Sequence, residues 1–186
     1  MARLEFSPTA IAGVSQVVRQ PVADDRGHLA RLFCSEEFSR AGQGFTVVQI
    51  NHTLTRQKGA LRGMHFQYPP AAERKLVTCI RGTIFDVAVD LRRGSPTFLK
   101  WTAAELSADN WTALLIPEGC AHGFQALSDD CELLYLHSAP YTAGLEGALN
   151  AFDPRIAIDW PLPASDMSTR DRGHAFIDDK FLGVTP

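Results

Sequence analysis

The chain is 186 residues long, 45% hydrophobic and 21% charged, with a formal net charge of -3. That length and apolar share suit one domain spanning 1–186 with a sizeable core, and the slight acidity excludes a basic nucleic-acid surface. Residues 1–6 lack the apolar centre of a signal peptide, and no run approaches membrane-spanning length, so a cytoplasmic protein with neither membrane nor nucleic acid as partner is expected. The four cysteines, Cys34, Cys79, Cys120 and Cys131, lack CxxC spacing and sit in or beside apolar runs, the pattern of buried thiols.

In chain order, two short strand-like pieces at 15–22 and 28–33 flank Asp24-Asp25-Arg26-Gly27, a composition that predicts a hairpin turn. Residues 35–42 read as a short helix with Ser35 as N-cap, Glu36 and Glu37 in the first turn and Gly42 as the stop. A β-branched run at 45–51 and the turn-like 55–59 lead into a strand at 61–67. Strands are then expected at 75–80 and 83–91. The second alternates at period two, with Phe85, Val87, Val89 and Leu91 on one face and Asp86, Ala88 and Asp90 on the other. Asp90, beside the turn at 92–96, reads as structural. Further short strands follow at 98–105, 111–116, 123–127 and 132–138. The last thirty or so residues carry proline and charge without periodicity and form an irregular tail that must pack on something. The sum is an all-β antiparallel sandwich or barrel.

Leu61-Arg62-Gly63-Met64-His65-Phe66-Gln67 is an apolar strand interrupted by a cation and an imidazole. Such a segment fits a satisfied core histidine beside a snorkelling arginine, and equally a site whose arginine meets an anion. Strict alternation would put Arg62 and His65 on opposite faces, so a shared site requires a bulge, for which Gly63 is the natural place. A second segment, Pro117-x-Gly119-x-x-His122, resembles the second cupin motif. The first cupin motif is incomplete, because Gln67 stands where a second histidine would be. Metal binding through His65, Gln67, Glu73 and His122 stays open as a minor alternative.

Together, residues 61–67, 85–98, Ile116-Pro117-x-Gly119-x-Ala121-His122-Gly123-Phe124 and Asp153-Pro154 resemble the dTDP-4-dehydrorhamnose 3,5-epimerase family, with the match running from about Asp24 to Asp171. The resemblance implies a cupin-type jelly roll, or double-stranded β-helix, with a short N-terminal helix, working as a homodimer without metal or other cofactor on a nucleotide-diphosphate sugar. It further implies that His65 is the base, Tyr135 the acid on the opposite face, Asp171 the carboxylate paired with the histidine, and Lys75 the cation at the enolate oxygen. Epimerisation next to a ketone needs just such a set. For the substrate, Arg62, Arg26 and Arg170 are candidates for the diphosphate, Gln49 and Asn51 for hydrogen bonding, and Tyr141 for stacking on the base, with His122 and Asp86 as supporting groups.

The sequence also departs from the family. Leu29 and Arg31 stand where an aromatic and an acid are usual, which removes a stacking face and reverses a charge at positions that help hold the nucleoside. A metal-dependent cupin enzyme using His65, Glu73 and His122, and a non-catalytic sugar-nucleotide binding module, are the alternatives.

Overall fold

Pairing with distant partners, more than local composition, sets where the strands begin and end. The computed structural model describes residues 3–186. β1 (Leu4–Pro8) pairs antiparallel with β2 (Ser15–Arg19). The strand expected over 15–22 breaks at Pro21, which has no N–H for a ladder, and resumes as β3 (Val22–Asp24). β3 and β4 (Gly27–Leu29) form the expected hairpin, shorter than anticipated, and it joins neither main sheet. The helix α1 (Ser35–Arg40) is capped by Cys34 in an extended conformation rather than by Ser35, and no side chain caps it. Tertiary contacts hold it instead. Phe38 is fully buried among Phe6, Phe33 and Phe45, and the Glu37 carboxylate accepts from the backbone N–H of Arg3 and Leu4.

β5 (Gln49–Thr55) starts four residues later than the β-branched run suggests, because Phe45 and Val47 pack near α1 while residues 49 to 55 pair in register with β12 (Cys131–His137). β6 (Leu61–Gln67), β7 (Lys75–Arg81) and β8 (Thr83–Asp90) lie within a residue of expectation. β9 (Trp101–Ser107) follows Leu99, whose φ of 60° breaks the strand expected from 98. β10 (Thr112–Ile116) and β11 (Cys120–Ala126) flank the Pro-Gly turn, and β13 (Glu146–Ala148) was not anticipated. The tail is irregular except for α2 (Thr169–Arg172), one turn capped by the Ser168 hydroxyl. Neither helix is long and apolar enough to cross a membrane.

The strands form two sheets, six-stranded in the order β1-β2-β10-β7-β12-β5 and five-stranded in the order β13-β6-β11-β8-β9, with every pair antiparallel. Between them lies a core of Val77, Leu114 and Leu133 against Ile84, Ala88 and Phe124. The outer face of the six-stranded sheet, with Leu76, Leu115 and Leu136, is covered by Phe38. The outer face of the five-stranded sheet carries Val87, Val89 and Leu91, as the alternation in β8 predicts, and the tail covers it with Leu149, Ala151, Ile156 and Met167. Burying each such side chain is worth about 1.5–3 kcal/mol, which explains why an aperiodic tail is held at all.

Candidate active site

The bulge required to bring Arg62 and His65 together is present. On β11, His122 pairs with His65 and Phe124 with Arg62, so three steps along β6 match two along its partner. The extra residue rotates the strand and points Arg62, His65 and Gln67 inward while Leu61, Met64 and Phe66 face the tail. Gly63 has a φ of +125°, and a Cβ there would meet Gly123 Cα at 2.5 Å and the His122 carbonyl at 2.9 Å. Only glycine fits.

Those residues line a cavity of about 930 Å³ between the sheets at one end of the sandwich. His65 Nε2 lies 2.8 Å from Asp171 Oδ1, and the second carboxylate oxygen accepts from the Gly63 N–H at 3.4 Å. Burial opposes ionisation of Asp171, but the His65 ring and the Gly63 N–H outweigh it and bring the carboxyl down to about 2. With Nε2–H donating to a charged carboxylate, the imidazole presents its Nδ1 lone pair. Arg170 Nη2 stands 3.1 Å from the same Nε2 and is drawn off by Glu146, 3.0 Å from Nη1.

Tyr135 extends from β12 in the opposite sheet, with its ring centroid 5.8 Å from that of His122 and 6.0 Å from that of His137. Burial, reinforced by the Asp86 carboxylate, pushes its phenol well above the ordinary tyrosine range, so it keeps its proton. Lys75 Nζ donates to the His65 carbonyl at 3.4 Å and pairs with Glu73 at 3.1 Å, and Glu73 also accepts from His137 Nδ1 at 2.7 Å. Burial works against the Glu73 charge, yet His137 and Lys75 hold its carboxyl below the usual range. Deeper in, His122 Nε2 bonds Asp86 Oδ1 at 2.7 Å; Asp86 is wholly buried, which raises its carboxyl, and its Oδ2 has no partner.

All four residues expected to be catalytic, His65, Tyr135, Lys75 and Asp171, therefore border one cavity, as do Arg62, Asn51, His122, Tyr141 and Arg170. Gln49 and Asp86 stand one step behind it. Gln49 donates to Asn51 at 3.2 Å and accepts from the Tyr141 N–H at 3.0 Å, while Asp86 orients His122. Arg26 does not border the cavity of its own chain. It is held by Asp24 at 2.6 Å on the exposed β3–β4 hairpin, away from the cavity, because that hairpin pairs only with itself. Arg31, noted for its reversed charge, is ion-paired with Glu37 of α1.

The metal set left open by the sequence is engaged otherwise. His122 is bonded to Asp86, Glu73 to His137 and Lys75, and Gln67 to Ala71, Pro140 and Thr142. Sequence reasoning missed His137 and Glu146. His137 could have been found, since it lies two residues beyond Tyr135 on the same strand and so on the same face; Glu146 lies on a three-residue strand with no pattern to betray it.

Comparison with known proteins decides the family. The family model described as dTDP-4-dehydrorhamnose 3,5-epimerase matches residues 8–179. The chain belongs to the dTDP-4-dehydrorhamnose 3,5-epimerase family. The relative named dTDP-4-dehydrorhamnose 3,5-epimerase from Sinorhizobium fredii is 43% identical over 156 residues, covering 84% of this chain and 80% of its own. A dTDP-4-dehydrorhamnose 3-epimerase from Streptomyces niveus is 37% identical, with 91% and 82% covered. The crystal structure of dTDP-6-deoxy-D-glucose-3,5-epimerase from Legionella pneumophila, in complex with dTDP-4-keto-L-rhamnose, superposes with a TM-score of 0.91 at 34% identity, covering 98% of this chain and 99% of that one. The fold is thus the cupin-type jelly roll that the resemblance implied, and the chain is an isomerase acting on a nucleotide-linked sugar.

Proposed function

We propose that the chain inverts carbon next to the ketone of a nucleotide-linked 4-keto-6-deoxy sugar by removing a proton with His65 and returning one from the other face with Tyr135. The observation that carries this reading is that the two residues come from facing sheets of one cavity, the first with its Nε2 tied to Asp171 and the second a phenol kept protonated by burial. Nδ1 of His65 takes the proton, and the charged Asp171 stabilises the imidazolium. Electron density moves from the carbon to the ketone oxygen, where Lys75 meets the developing charge, a contribution whose loss costs on the order of a hundredfold or more. Tyr135 then delivers its proton to the enolate carbon. Arg62 and Arg170 serve the diphosphate and Tyr141 the base.

We further propose that the chain works as one domain, in the cytoplasm, as a homodimer. Support for the dimer comes from the β3–β4 hairpin, which pairs with neither sheet and leaves Leu29 77% exposed, and so offers a second copy an arm carrying Arg26.

The test is incubation with dTDP-4-keto-6-deoxyglucose in heavy water, following deuterium entry at C3 and C5 by NMR. Exchange is expected at one or both carbons, falling by about a hundredfold or more in His65→Ala. In Tyr135→Phe, proton removal persists while inverted product is lost. Absence of exchange with dTDP-, CDP- and GDP-linked substrates overturns the assignment.

A further inference from the structure

The proton pathway leaves one group beside the His65–Asp171 pair unused. His174, just beyond α2, directs Nε2 at Asp171 Oδ1 from 3.8 Å, and this nitrogen is buried without any hydrogen-bond partner. Its ring meets that of His65 edge to face, at 6.4 Å between centroids. Nε2 of His65, a carboxylate oxygen of Asp171 and Nε2 of His174 all lie within 4.8 Å of one another. Two imidazoles and a carboxylate are a donor set for a divalent transition ion, whose ligands sit at about 2.0–2.2 Å, so neighbouring donors around a tetrahedral ion are roughly 3.3 Å apart. Two of the three edges, 2.8 and 3.8 Å, bracket that spacing, and the third is within 4.8 Å.

We propose that His65, Asp171 and His174 form an inhibitory site for Zn²⁺ or a similar divalent transition ion. The consequence rests on His65 being the base. An ion on Nε2 displaces the ring proton, which moves to Nδ1, and the lone pair needed for proton abstraction is gone. Asp171 supplies a carboxylate, and Glu146 lies behind Arg170. Arg170 is the opposing charge, with Nη2 3.1 Å from His65 Nε2 and Nε 3.6 Å from Asp171; Glu146 gives its guanidinium a place to withdraw.

The experiment titrates the wild-type protein with Zn²⁺, and separately with Co²⁺ as a spectroscopic probe. Expected are one bound ion per chain, visible bands of imidazole-ligated Co²⁺, and loss of deuterium exchange that chelation restores, with no effect of Mg²⁺. In His174→Gln, metal-free exchange stays at the wild-type rate while the Zn²⁺ needed for inhibition rises by about tenfold or more; His174→Asn repeats the comparison should the first variant not fold. A wild-type protein without Co²⁺ bands, or Zn²⁺ sensitivity unchanged in the variants, overturns the site. The bands do not depend on catalysis. Co²⁺ bound through His174 in a protein with no exchange on any substrate would therefore uphold the ion site and overturn the epimerase reading alone.

Discussion

Asp90 and Asp171 are both buried carboxylates lowered to about 2, and they do different work. Asp90 accepts from Arg92 through two guanidinium nitrogens at 2.8 Å and from the hydroxyls of Ser95 and Thr97, closing the turn after β8. Burial resists its charge, and these donors overcome the resistance. A carboxyl lowered from 3.8 to about 2 contributes stability on the order of 2 kcal/mol. Because the folded value is the depressed one, that contribution is present above roughly pH 4 and is lost as pH falls through about 2. Asp90→Asn should therefore lower the denaturant midpoint at pH 7 and leave the stability at pH 2 nearly unchanged, while epimerisation at pH 7 persists in the folded fraction. Asp171→Asn should cost a similar amount of stability over the same pH range and, in addition, reduce exchange in the folded protein by about a hundredfold or more, since an amide cannot stabilise the imidazolium.

At the scale of elements, the bulge in β6 decides whether a site exists. Gly63 and Gly123 touch across it, and a methyl group on either strikes backbone atoms of the other strand. Gly63→Ala combines that clash with a positive φ, and is expected to destabilise the fold by about 2–4 kcal/mol and to reduce exchange even in the folded protein, by turning His65 away from Asp171; thermal melts and exchange rates measured on the same sample check both. This element also shows what the sequence disclosed. The conflict between alternation and a shared site could be read from Arg62, Gly63 and His65 alone, and so could the face of β8 that carries Asp86. Strand ends could not, because the paired length of β5 is set by β12, more than seventy residues away along the chain. Nor could Glu73's role. Its three-way contact with Lys75 and His137 depends on β7 and β12 being neighbours, which no local pattern announces. Arg26 was legible as a cation in a turn, but not the self-paired hairpin that keeps it off the cavity of its own chain.

For the whole molecule, two additions to the sandwich matter most. The β3–β4 hairpin pairs with no other strand and touches the sandwich through the His28 ring against Trp111, leaving Leu29 exposed. Leu29→Asp should shift a dimer toward monomer in sedimentation velocity and, through Arg26, raise KM more than it lowers kcat. The tail is the other addition. A chain ending at residue 164 keeps every strand of both sheets but uncovers part of the outer face behind β6 and loses α2; it should lose exchange by about a hundredfold or more and show greater dye binding and aggregation than the full chain. Refolding should restore secondary structure before activity, a lag that far-ultraviolet circular dichroism and exchange assays on one time course would resolve.

Asp171 lies 106 residues beyond the histidine it orients. A polypeptide emerging from a ribosome holds all the strands of the sandwich once Ala148 is out, and at that moment His65 has no Asp171 beside it. A protein cut before α2 keeps the strands of the sandwich but lacks the His65–Asp171 pair. On the mechanism proposed above, turnover therefore reports that the chain is intact through α2.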